Sequence, residues 1–142
     1  MKTFTFLLAC YCLSIFAPLI AFANDECYSA TTLFPGSSCN YSSGTTSGAS
    51  NSGGSPCGGT ANDVWYKFTA TATSHIVKVQ GSANFDAVLE VLEGSTCASA
   101  TSIGCIDNGG LGSLEAASIT NATVGQKYYI RVYDYYGTSG SF

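Results

Sequence analysis

The 142-residue chain is short of the residues on which most enzymes and nucleic-acid binders depend: it has one His, one Trp, three Pro and only five Lys and Arg. With His75 the sole side chain whose ordinary pKa lies near neutrality, general-base chemistry has one candidate. No Gly-x-Ser-x-Gly nucleophile elbow occurs, and Ser and Asp are too common in such a chain to define a triad by themselves. No Cys-x-x-Cys pair occurs either, which argues against a structural zinc site. The shortage of cations leaves a net charge of −4, and an acidic surface repels phosphate backbones, so nucleic acid is not an expected partner. The few charges are scattered, which reads as solubility and not as a charged site.

One long apolar run is present, at the start. Lys2 precedes an almost continuous apolar stretch from Phe4 to Ile20, and Ala21-Phe22-Ala23 supplies small residues at a cleavage site. This is the pattern of a secretory signal peptide cleaved after Ala23. The run is barely long enough to span a bilayer, and polar Asn24-Asp25-Glu26 follows at once, so no membrane span is expected after its removal. Leu7-Leu8-Ala9-Cys10 resembles a lipoprotein box but lies inside the apolar run. The expected product is a secreted or cell-surface protein with a single domain over residues 24–142, a length suited to one core.

That remainder alternates with period two. In Asp63 to Thr69, Val64, Tyr66 and Phe68 share a face opposite Trp65 and Lys67. His75, Val77 and Val79 oppose Ile76, Lys78 and Gln80; Phe85, Ala87, Leu89 and Val91 form an apolar face. Short strands are also expected at Ser102 to Ile106, Leu114 to Thr120 and Lys127 to Tyr135, and a weak one within Cys39 to Ala49. Gly- and Asn-rich turns separate the runs, as at Asp107-Asn108-Gly109-Gly110. Many short strands at such spacing predict an all-β fold, an antiparallel β-sandwich of jelly-roll type.

Five cysteines follow the leader, and an exported chain meets an oxidising compartment, so disulfides are expected. Cys97 and Cys105 flank a short segment and are expected to pair. The pairing of Cys27, Cys39 and Cys57 is open, with Cys27–Cys39 favoured and Cys57 left over; an odd number leaves one cysteine without a partner.

Three candidate sites arise. Tyr133, Tyr135 and Tyr136, with Tyr129 and Trp65, could form an aromatic platform that stacks on sugar or contacts peptide; the competing reading packs Trp65 in the core and pairs the strand tyrosines across the sheet. Asp86, Asp107 and Asn108 could offer oxygen ligands to calcium, although an Asx turn explains Asp107-Asn108 without a metal. His75 is either an ordinary half-exposed strand residue or the base of a small hydrolase, the alternative function.

The ordered set NDECYSATTL, DVWYKFTA, FDAVLEVLEG, IGCIDN and KYYIRVYDYYGTSGSF resembles the pre-peptidase C-terminal domain family of secreted Bacteroidetes-type proteins over nearly all of residues 24–142. The resemblance implies a bacterial, non-catalytic β-sandwich accessory module that contacts extracellular protein or polysaccharide or supports a larger secreted protein; relatives bind calcium. In that family a further strand follows the turn after Tyr136, commonly with an apolar pair and a cysteine. The expectation is therefore a sandwich cut short at its C-terminus. The missing strand is expected beside Lys127 to Tyr135, which would otherwise lie as an open sheet edge.

Overall fold

The computed structural model describes residues 24–58 and 61–142; the expected signal peptide lies outside the described residues. Seven strands form two sheets: β1 (Thr31–Thr32), β2 (Asp63–Thr69), β3 (Ser74–Gln80), β4 (Ala87–Glu93), β5 (Thr101–Ile106), β6 (Leu114–Thr120) and β7 (Lys127–Asp134). The larger sheet has the order β1-β2-β7-β4-β5, and β3 and β6 make the smaller. All pairs are antiparallel except β1 with β2. The result is an all-β, mostly antiparallel, two-sheet sandwich, open and not closed into a barrel. No helix among the described residues is long and apolar enough to cross a membrane.

The inner faces follow the alternation. Val64 and Phe68 from β2, Leu89 and Val91 from β4, Tyr128, Ile130 and Val132 from β7, and Val79, Ala117 and Ile119 from the small sheet form one apolar cluster. Phe68 stacks on Tyr128 with ring centroids 5.4 Å apart. Burying each such side chain contributes roughly 1.5–3 kcal/mol, so this cluster is the main stabilising element. β6 shows the cleanest alternation, each buried residue flanked by exposed ones, as expected of a sheet with one wet face.

The strand order corrects one expectation. β7 is not an edge strand: it lies between β2 and β4, with seven Cα partners on each side. Its residues from Tyr128 to Asp134 are all buried, the pattern of a strand covered on both faces. The segment within Cys39 to Ala49 forms no strand; Thr45 makes a single bridge to Ser141. Its Ser- and Gly-rich composition supplies too few apolar residues at alternate positions to hold a ladder.

The disulfides also differ from expectation. Cys27 pairs with Cys97 and Cys57 with Cys105, leaving exposed Cys39 unpaired among the described residues. Cys97 sits in the 3-10 turn Cys97–Ser99 between β4 and β5, and Cys105 lies near the far end of β5. An extended strand at about 3.3 Å per residue carries Cys105 beyond the ~7 Å reach of a disulfide from Cys97. Cys27 packs with Trp65 and Tyr129 on the outer face of the large sheet, whereas Cys39 borders inner-face residues such as Tyr66 and Phe68, so the sheet separates them. Both bonds instead fasten N-terminal segments onto that outer face.

Candidate functional site

Beneath residues 50–58 the outer face of β2, β7 and β4 carries a buried polar array. Arg131 Nη2 donates to Asp63 Oδ2 at 2.6 Å and to the Gly53 carbonyl at 2.5 Å, and Nη1 lies 3.6 Å from Glu90 Oε2. Trp65 Nε1 donates to Asp63 Oδ1, Ser52 Oγ donates to the same oxygen, and Ser55 Oγ donates to Glu90 Oε2. The guanidinium lies 5.4 Å from the ring centroids of both Trp65 and Tyr133, a cation–π arrangement on two sides. Tyr133 is 1% exposed, and its hydroxyl donates to the Gly58 carbonyl at 2.8 Å; burial pushes its pKa up. Tyr133, Tyr129 and Trp65 are therefore not an exposed platform: the loop covers Tyr133 and Trp65, whose polar ends hold it there, and Tyr129 is buried against Cys27, Ala30 and Cys97.

The accessible site lies at one end of the sandwich, where the loops 81–86, 107–113 and 135–140 converge. Tyr135 N–H donates to the Asp86 carbonyl at 2.9 Å, Gly112 N–H to the Phe85 carbonyl at 3.1 Å, and Gly81 N–H to the Ser113 carbonyl at 3.3 Å. Two carboxylates organise these loops. Asp134 Oδ1 accepts from the N–H groups of Tyr136 and Thr138, and Oδ2 from that of Asp86. Glu115 accepts from Asn108 N–H through Oε2 and from Gly109 N–H through Oε1. A side chain at Gly109 would collide with Ser113 and approach Glu115, so the close turn requires glycine there.

Tyr135 and Tyr136 stand out of this braced turn, 49% and 68% exposed, with rings edge-to-face at 5.1 Å. Of the three candidate tyrosines, the structure brings these two together at the surface and places Tyr133 under the loop.

Asp86 is 4% exposed, and its Oδ1 is buried with no hydrogen-bond partner among the described residues. Burial, then repulsion from Asp134 and Glu115, raises its pKa; Asp107 is raised by desolvation, then by Asp86 and Glu115. Asn108 turns its backbone N–H to Glu115. Calcium takes six to eight oxygen ligands. Asp134 and Glu115 already spend both oxygens on backbone amides, leaving Asp86 and Asp107 as the uncommitted carboxylates. No group of three or more His, Cys, Asp or Glu among the described residues is disposed to hold a metal ion. Glu115 and Asp134 escaped sequence reasoning because nothing local marks an acid that accepts amides from another loop.

His75 is half-buried. Its Nε2 accepts from the N–H groups of Thr71 and Ala72 at 3.3 and 3.2 Å, and its ring lies 5.1 Å from that of Phe68. That gives it the work of closing the β2–β3 turn.

The family model described as galactose binding domain-like, T9SS-associated, matches residues 23–141. The chain belongs to this family. No curated protein and no solved structure matches it. The β-sandwich module expected from the sequence thus stands as a galactose-binding-domain-like module of a T9SS-linked family, a broader assignment than the pre-peptidase C-terminal one.

Proposed function

We propose that this is a secreted, non-catalytic binding module that holds an extracellular polysaccharide or glycosylated protein at the loop end of the sandwich. The observation that carries this reading is the Tyr135–Tyr136 pair: two exposed rings on a turn fixed by three backbone hydrogen bonds to Asp134. Adjacent exposed tyrosines offer apolar area with hydrogen-bonding ends, and rings held in one geometry lose little entropy on binding. Sugar rings stack on such faces, while Asp107, exposed in the loop 107–113 at the same end of the sandwich, can accept from hydroxyl groups. Membership of a galactose-binding-domain-like family supports carbohydrate over an unmodified protein surface. The test is a glycan array followed by calorimetry on the hits. Tyr135→Ala and Tyr136→Ala together should weaken binding by about tenfold or more, near 1.4 kcal/mol, with no change in melting temperature. Binding that survives the double substitution would move the site elsewhere.

A further inference from the structure

The few charges, scattered in the sequence, are not scattered in the fold. The loops 81–86, 107–113 and 135–140 hold Asp86 and Asp107 and no Lys, Arg or His. Glu115 and Asp134 brace these loops from β6 and β7, so two further carboxylates stand at the same end. None of these acids forms an ion pair: the salt bridges among the described residues are those of Arg131 with Asp63 and Glu90, beneath residues 50–58. The lysines stand elsewhere. Lys67 is opposite Tyr129 and Lys127 opposite Thr69, toward the far end of the large sheet. Lys78 is opposite Ala116, and both are exposed, whereas the next pair, Val79 with Glu115, is buried. Lys78 therefore projects from the outer face of the small sheet, away from Glu115.

The acids at the loop end feel one another. After burial itself, Asp134 and Glu115 raise the pKa of Asp86, and Asp86 and Glu115 that of Asp107. Asp86 Oδ1 ends in this field, buried and without a hydrogen-bond partner among the described residues. Like charges gathered away from counter-ions project a negative potential outward, and Asp107 is the member of the group that is exposed. The tyrosines add to it, because the face of an aromatic ring is the negative end of its quadrupole and attracts a cation. Their turn is fastened directly to two of the acids: Tyr135 N–H donates to the Asp86 carbonyl and Tyr136 N–H to Asp134 Oδ1, both at 2.9 Å. Rings and carboxylates thus belong to one braced unit, and both favour positive charge. A neutral sugar would stack on the rings and leave the field unanswered, and a uronic or sulfated sugar would be repelled.

We propose that the loop end selects a positively charged polysaccharide, one whose sugars carry free amino groups, and that Asp107 is the residue that reads the charge. This rests on the reading that Tyr135 and Tyr136 hold a glycan, and names the class of glycan. A protonated amino group offers three donors and no acceptor, where a hydroxyl offers one donor, so a carboxylate distinguishes the two. Two rings fixed side by side on a turn suit a flat sugar more than the flexible side chains of a basic peptide, and membership of a galactose-binding-domain-like family points the same way.

The test is calorimetry on the purified protein with β-1,4-linked tetramers of glucosamine and galactosamine, each against the matching tetramer of glucose or galactose. Within a pair only the group at the 2-position changes. The pH is held at about 6, below the ~7.7–8.0 of an α-amino group, so that the amines are charged. The amino tetramer of at least one pair should bind tighter than its neutral partner by about tenfold. Asp107→Asn, which keeps an acceptor oxygen and removes the charge, should cut that ratio by about threefold. Raising the ionic strength from about 0.01 M to about 1 M, which shortens the Debye length from about 30 Å to about 3 Å, should remove most of it. Equal affinity within both pairs overturns the selection for charge and leaves the glycan reading standing. Failure of both amino tetramers to bind overturns it too, and the glycan array then judges the tyrosine pair by itself. Tetralysine binding as tightly as the better amino tetramer would assign the surface to a basic protein and refute the proposal. A ratio unchanged in Asp107→Asn would refute the role of Asp107.

Discussion

Arg131 and Asp63 meet at 2.6 Å on adjacent strands of the large sheet, both buried beneath residues that are mostly Gly and Ser. Their charges are out of water because the loop is fastened over them, and the loop is fastened because the pair gives Gly53 and Ser52 hydrogen-bond partners. Removing one partner of a buried ion pair leaves the other uncompensated. Arg131→Ala should therefore cost about 3–5 kcal/mol in denaturant unfolding, because Asp63 and Glu90 would remain buried without their cation. Arg131→Lys should recover only part of this, since one ammonium cannot reach Asp63, Gly53 and Glu90 and fill the space between Trp65 and Tyr133. A loss below 1 kcal/mol would mean that the loop opens to water at little cost.

The disulfides make a second prediction. Peptide mapping without reduction should recover Cys27–Cys97 and Cys57–Cys105, with Cys39 alkylated. The bonds span 70 and 48 residues of sequence. In the chain-entropy account each then contributes roughly 4 kcal/mol by restricting the unfolded chain. The Cys57→Ser and Cys105→Ser double variant should lose stability toward that amount and speed proteolysis within residues 50–58. A Cys97–Cys105 peptide in the map would refute the arrangement.

Inner-face packing was legible residue by residue: Val64, Phe68, Leu89, Val91, Ile130 and Val132 all fall where alternation puts them. Trp65, Tyr129 and Tyr133 were not, because alternation assigns them to the outer face and says nothing of what covers it. Trp65 and Tyr133 are covered by a Gly/Ser-rich loop with no periodicity, held by the Cys57–Cys105 disulfide and by a salt bridge between residues 68 apart in sequence, and Tyr129 by the segments joined at Cys27–Cys97. The same limit hid the place of β7. A strand with tyrosines on its outer side can be an edge or a centre, and only its partners β2 and β4 decide. Of the loop-end site, the exposed Tyr135 and Tyr136 were legible from their place in a turn, whereas Asp134 and Glu115 act across loops.

Asp86 gives a pH dependence of definite sign. Its pKa is raised above the ordinary 3.8, so between the unfolded and folded values the native state holds the extra proton. The stabilising contribution is complete below about pH 3.8 and is lost as pH rises through the raised folded value. Asp107 acts in the same direction. Asp86→Asn, which removes the charge next to Asp134 and Glu115, should raise stability at pH 7–8 and flatten the profile above pH 4. Millimolar calcium with an EDTA control should leave the melting temperature unchanged. A calcium-dependent rise that disappears in Asp86→Asn would show that a cation, and not a proton, answers the buried Oδ1.

The last prediction concerns Asp134, fully buried at the end of β7. Its carboxylate ties the start of β4 to the turn carrying the tyrosines, through the N–H groups of Asp86, Tyr136 and Thr138, beside the Tyr135 N–H bond to the Asp86 carbonyl. Asp134→Ala leaves three backbone donors without a partner, at about 1–3 kcal/mol for each that water cannot reach. Tyr136 and Thr138 lie in an exposed turn and can turn their N–H groups to water, so most of the cost should come from Asp86 N–H. A loss of about 1–3 kcal/mol is expected, with faster amide exchange from Tyr135 to Ser139. Both tyrosines remain in this variant, but their rings are no longer held in one geometry, so glycan affinity should fall with a more unfavourable binding entropy. Asp134→Asn keeps one acceptor oxygen and should fall between the two. Unchanged affinity in Asp134→Ala, with the exchange rates raised, would show that the tyrosine pair binds without being preorganised.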